Sequence, residues 1–107
     1  MTEKTLRDKP VTSAQELHRF LRLLPQKISL SSHQNAALNR DIKTLESLIS
    51  MLNEAGSKDT WREVWSMTND MNKTFGGYVG DELGQNLNQL FDALWRDILE
   101  SYSKITE

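Results

Sequence analysis

Cysteine is absent from the 107 residues, so a disulfide framework, a thiolate nucleophile and any cysteine-containing metal site are excluded together. Proline occurs only at Pro10 and Pro25. No apolar run approaches the roughly 20 residues needed to span a bilayer. The polar stretch from Met1 to Pro10 lacks the apolar segment of a signal peptide, and the expectation is a cytoplasmic protein without membrane attachment. Histidine is nearly missing too. His18 and His33 lie on separate segments without i, i+4 spacing to another His, so they read as solvent-facing or capping residues, not as metal ligands or acid-base groups. No serine sits in a Gly-x-Ser-x-Gly turn. No cofactor or metal is expected, and the chain does not read as an enzyme.

Glycine is scarce outside one segment, where Gly76, Gly77, Gly80 and Gly84 account for four of the five. A phosphate-cradling loop would need Lys and then Ser or Thr after its last glycine. Here Gln85 follows Gly84, and Asp81 and Glu82 occupy the place an anion would take. Helix-stop and hinge chemistry explains the cluster better.

What the chain does contain is helical periodicity. With 37% hydrophobic and 26% charged residues its composition is that of an ordinary globular domain, and its length fits one domain, residues 1–107, with 1–11 expected as a flexible tail. A first helix is predicted from Ser13, boxed with Glu16, through Leu17, Phe20, Leu21 and Leu24, with Pro25 as its stop. Ser31 or Ser32 caps a second, running to about Glu54 with Gly56 as its C-terminal cap. Thr60 and Glu63 open a third through Trp61, Val64, Trp65, Thr68, Met71 and Phe75, and Gly76 and Gly77 end it. Asp81 caps a fourth whose apolar positions run from Leu83 through Trp95 to Tyr102, with Asp92–Arg96 and Glu100–Lys104 as acid-first i, i+4 pairs. The second and fourth helices, similar in length, are expected side by side.

Two patterns bear on function. Asn35, Ile42 and Ile49 at a, with Leu38, Leu45 and Leu52 at d, form a heptad whose Ile/Leu choice and single Asn favour paired strands, and this predicts a homodimer formed along the second helix. Leu48 and Met51 widen its stripe, as in a bundle helix with more than one neighbour. On the third helix Trp61 and Trp65 lie one turn apart, with Val64, Met67 and Met71 close by. This aromatic and thioether cluster is the leading partner-binding candidate, weighed against its use as core filling.

Charge is divided unevenly. Residues 1–53 carry eight Lys or Arg against five Asp or Glu, and residues 54–107 carry five against ten. The strip of Arg19, Arg22, Lys27, Arg40 and Lys43 is broken by Glu16, Asp41 and Glu46, so it reads as a solvated face. A nucleic-acid-associated accessory protein is the alternative that strip keeps open. The fold expected is all-α, a small four-helix bundle assembled as a homodimer. In size and expected architecture it resembles the small dimeric helical antiactivators of bacterial transcription factors, and secretion chaperones. That resemblance implies a regulator that sequesters or blocks another protein, such as a transcription regulator or a secreted client, through an apolar helical surface.

Overall fold

The computed structural model describes residues 3–54, 58–74 and 81–106, and all of these except the connection at 28–31 are α-helical. Helix α1 spans Glu3–Lys27, α2 Ser32–Glu54, α3 Lys58–Thr74 and α4 Asp81–Thr106. Links of four, three and six residues are too short to run back along helices of about 25 Å or more, so consecutive helices lie antiparallel. Each helix packs on two others: α1 on α2 and α4, and α3 on α2 and α4. The result is a closed up-and-down four-helix bundle of 44 × 20 × 20 Å. Two helices at the usual 8–10 Å spacing, plus their side chains, account for a width of about 20 Å.

Helices α2 and α4 are diagonal partners, and their backbones nowhere approach within 8 Å among the described residues. The expectation from matched lengths is thus corrected. Short links make sequence neighbours into spatial neighbours, and ring closure then pairs α4 with α1.

The core is a set of four seams with alternating steps of three and four. On α1 the buried positions are Pro10, Ala14, Leu17, Leu21 and Leu24; on α2, Leu38, Asp41, Leu45, Leu48 and Leu52. On α3 they are Trp61, Val64, Thr68 and Met71; on α4, Leu87, Phe91, Leu94, Ile98 and Ser101. A fully buried Leu contributes about 1.5–3 kcal/mol relative to an exposed one, so these seams decide which face of each helix turns inward. Of the polar seam residues, Thr68 donates from Oγ1 to the carbonyl of Val64 at 2.7 Å.

Several boundaries differ from those read in the sequence. α1 begins ten residues before Ser13 and continues past Pro25, so residues 3–11 belong to the helix and not to a tail. Buried Pro10 lies one heptad before Leu17, and its seam carries the helix upstream. Downstream, buried Leu24 holds the last turn in place, and Ile28 N–H still reaches the Leu24 carbonyl at 3.1 Å. Ser13 is therefore no cap. Its Oγ donates to Asp97 Oδ2, tying α1 to α4.

At α2 the cap is Ser31, reciprocal with Gln34: Gln34 N–H donates to Ser31 Oγ at 3.2 Å, and Ser31 N–H to Gln34 Oε1 at 2.9 Å. α3 starts at Lys58, so Thr60 lies inside it. Gly56, Phe75, Gly76, Gly77 and Gly80, with the stop and hinge roles assigned to them, fall outside the described residues, whereas Gly84 lies inside α4. No described helix is long and apolar enough to cross a membrane.

Candidate functional site

α3 is the shortest helix, and its seam must fill the bundle centre opposite α1. That requirement sorts the five predicted partner-binding residues. Trp61 at 1% exposure, Val64 at 0% and Met71 at 5% are core. A side chain so enclosed has no area to offer a partner without unfolding. Trp65 and Met67 lie on the helix flanks and remain half-buried. A step of four residues turns a side chain by about 40° around the helix, which carries Trp65 off the seam that holds Trp61.

Trp65 points toward α4. Its ring centroid lies 5.3 Å from that of Trp95 and 6.2 Å from that of Tyr102, the latter pair nearly stacked at 23°. Such pairs add about 0.5–1.5 kcal/mol beyond area burial. Trp95 Nε1–H donates to Asn69 Oδ1 of α3 at 3.3 Å, which fixes the indole against the helix. Beside this ladder lies a groove of about 560 Å³ lined by Asn72, Asn88, Gln89, Phe91, Asp92 and Trp95.

Met67 points the other way, toward α2. It shares with Met51 and Met71 a cleft of about 540 Å³, together with Asp41, Thr44, Glu63, Ser66, Asp70 and Arg40. Asp41, only 2% exposed, lies in the α2 seam, with Oδ1 3.8 Å from Arg40 Nε. Asp41 and Met51 were not singled out as site residues. The signal was available for Asp41, because 38, 41, 45, 48 and 52 form one uninterrupted alternation of threes and fours, but an acidic residue conceals a seam position.

The residues assigned to dimerisation divide the same way. Leu38, Leu45 and Leu52 are fully buried in the core of the single chain, whereas Asn35, Ile42 and Ile49 are half-buried beside it. Asn35 Nδ2–H donates to the Leu30 carbonyl at 3.4 Å, closing the turn into α2. Ile42 lines a cleft of about 420 Å³ against α1, formed with Arg22, Pro25, Asn39, Lys43 and Glu46. His18, read as solvent-facing, bridges the same two helices, with Nε2 3.1 Å from Glu46 Oε2.

The charge pattern of α4 forms as expected, with Arg96 Nη2 3.0 Å from Asp92 Oδ2 and Lys104 Nζ 3.2 Å from Glu100 Oε1. The hydrogen bond and charge of Lys104, aided by Lys9 of α1, hold the Glu100 carboxyl below its usual pKa of 4.5. Among the described residues no three His, Asp or Glu converge as metal ligands. Leu23, at 42%, is the one large apolar side chain classed as exposed there.

Comparisons with family models, with curated proteins and with solved structures find no match to this chain.

Proposed function

We propose that this chain is a non-enzymatic, cytoplasmic protein-binding regulator that sequesters or blocks another protein, with a transcription regulator or a secreted client as the expected kind of target. The observation that carries the reading is the division of α3 into a buried seam and two half-buried apolar flanks, Trp65 toward α4 and Met67 toward α2. Large aromatic and thioether side chains that stay partly open, each beside a groove, are the groups most used as binding anchors. The regulator works as a homodimer in this reading, paired along the flank of α2 that carries Ile42 and Ile49.

The test is a photo-crosslinking amino acid placed at Trp65, at Met67 or at the exposed control position Arg62, in cells that express the chain naturally. Discrete protein adducts are expected at 65 or 67 and not at 62. Absence of protein adducts at both positions, or adducts to nucleic acid in their place, overturns the proposal.

A further inference from the structure

In the sequence the basic strip of Arg19, Arg22, Lys27, Arg40 and Lys43 is broken by Glu16, Asp41 and Glu46. Folding takes each of these acids out of it. Asp41 is enclosed in the α2 seam, and Glu46 is held by His18 at 3.1 Å. A step of two residues turns a helix by about 200°, so Glu16 faces the far side of α1 from His18. Two cations leave the strip as well. Lys27 Nζ lies over the Phe20 ring at 5.7 Å, and Arg40 turns to the α2/α3 cleft, 3.8 Å from Asp41. What remains is Arg19, Arg22 and Lys43, all exposed and without an ion pair among the described residues.

Two of these three line the α1/α2 cleft of about 420 Å³, Arg22 from α1 and Lys43 from α2, and Arg19 stands one turn before Arg22. Pro25 and half-buried Ile42 form the apolar part of the lining, with Asn39 and the His18-bound Glu46 as its other members. Along α2 the lining runs from Asn39 to Glu46, about 10 Å or two helical turns. We infer that this cleft is the docking site for an acidic amphipathic helix of a partner protein. A large apolar side chain of that helix lies on Ile42 and Pro25, and Asp or Glu on either side of it meet Arg22 and Lys43. The groove between two antiparallel helices takes a third along its length, and charge complementarity selects its sign. Arg presents a two-pronged donor that fits a carboxylate, and Lys a mobile point charge. A basic helix meets like charge on both walls. Nucleic acid fits less well, because three cations around an apolar floor do not make the extended basic face that tracks a phosphate backbone.

This inference takes from the protein-binding reading only that the partner is a protein, and it adds a surface apart from the α3 flanks. Its test uses the full chain and two fluorescently labelled peptides, about 15 residues long so that each can form a helix. One is made of Leu, Ala and Glu and the other of Leu, Ala and Lys, with identical Leu positions. Binding is followed by anisotropy, and the site by NMR of ¹³C-labelled Ile methyl groups and Trp indole N–H groups. The Glu peptide is expected to bind saturably, at least about tenfold more tightly than the Lys peptide, and more weakly as salt is raised. Its binding should shift the Ile42 methyl signal and leave buried Ile98 and the indoles of Trp65 and Trp95 in place. Because Ile42 also belongs to the flank proposed for the dimer, the helix and a second copy exclude one another. Excess Glu peptide should therefore move the chain toward the monomer in sedimentation.

Arg22→Glu and Lys43→Glu, at exposed positions that leave the core intact, should each weaken binding by about two- to fivefold at low salt, whereas Arg62→Glu on α3 should leave it in place. Equal affinity for both peptides, an equal loss with Arg62→Glu, shifts centred on the indoles, or no saturation by roughly 1 mM each overturns the inference. So does a dimer that persists with the Glu peptide bound. Tighter binding of a short DNA duplex than of the Glu peptide also overturns it and gives this face to nucleic acid. If the peptides fail while position 65 or 67 forms protein adducts in cells, the protein-binding reading stands and only this site falls.

Discussion

Asp41 and the two tryptophans of α3 show how much a single position depends on its angle around the helix. Asp41 takes a seam place in which Leu would bury well, and enclosing a carboxylate costs several kcal/mol unless compensated. Asp41→Leu is therefore expected to raise the thermal midpoint, by a stability gain of about 1–3 kcal/mol in calorimetry. A lower midpoint would mean that the carboxylate's present contacts outweigh its desolvation. For the tryptophans, Trp61→Ala should cost about 3–5 kcal/mol of folding stability, whereas Trp65→Ala, losing half-buried area and its two ring contacts, should cost clearly less and leave the bundle folded. Denaturant melts of the two variants decide this, and equal losses would contradict the assignment of Trp65 to a flank. Glu100 titrates below 4.5 in the folded chain, so its ion pair favours folding above that value and is lost as pH falls through the folded midpoint. Lys104→Gln should move the Glu100 midpoint up toward the ordinary value in an NMR titration, with little change in stability at neutral pH because the group lies in solvent.

At the scale of elements, α1 stands out because it contains both prolines and is nevertheless continuous from Glu3 to Lys27. Each proline removes one N–H from the i to i−4 ladder, and the packing of Ala14, Leu17, Leu21 and Leu24 outweighs that loss. Pro25 is exposed in the last turn, so Pro25→Ala restores a donor for the Leu21 carbonyl without touching the core. The expected outcome is a gain of about 1 kcal/mol in thermal melts, with slowed exchange of the new amide. A loss would indicate that proline stabilises the chain more by restricting its unfolded state. α3 is the weak member of the ring, with 17 residues and less extensive contact with α2 and α4 than α1 makes with the same two helices. Native-state amide exchange should therefore show α3 opening at lower free energy than α1 and the interior of α4.

At the scale of the whole molecule, a chain of this size has limited surplus stability, and a second copy would add buried area. Sedimentation at high micromolar concentration should show the dimer proposed above. Ile42→Asp with Ile49→Asp should leave a folded monomer, because both positions lie beside the seam and not in it. A native chain that sediments as a monomer removes the dimer, and unfolding of the variant would mean that the α2 flank is needed inside the single chain.

Helix number and class, and the approximate spans of α2, α3 and α4, were legible in the sequence because steps of three and four residues put apolar side chains on one face whatever surrounds the helix. The Ser31 turn and the α4 ion pairs were legible for the same reason, being made between residues three or four apart. The frame of the α2 stripe was not. Leu38, Leu45 and Leu52 belong to two overlapping seams, one completed by Asn35, Ile42 and Ile49, the other by Asp41 and Leu48, and local polarity favours the first. Only neighbouring helices choose between them, since burial depends on what packs across the core. The same holds for Trp61 against Trp65, for the diagonal placement of α2 and α4, and for the passage of α1 through Pro10 and Pro25. In each case a local preference of a few kcal/mol or less met a summed packing energy that no stretch of sequence carries alone.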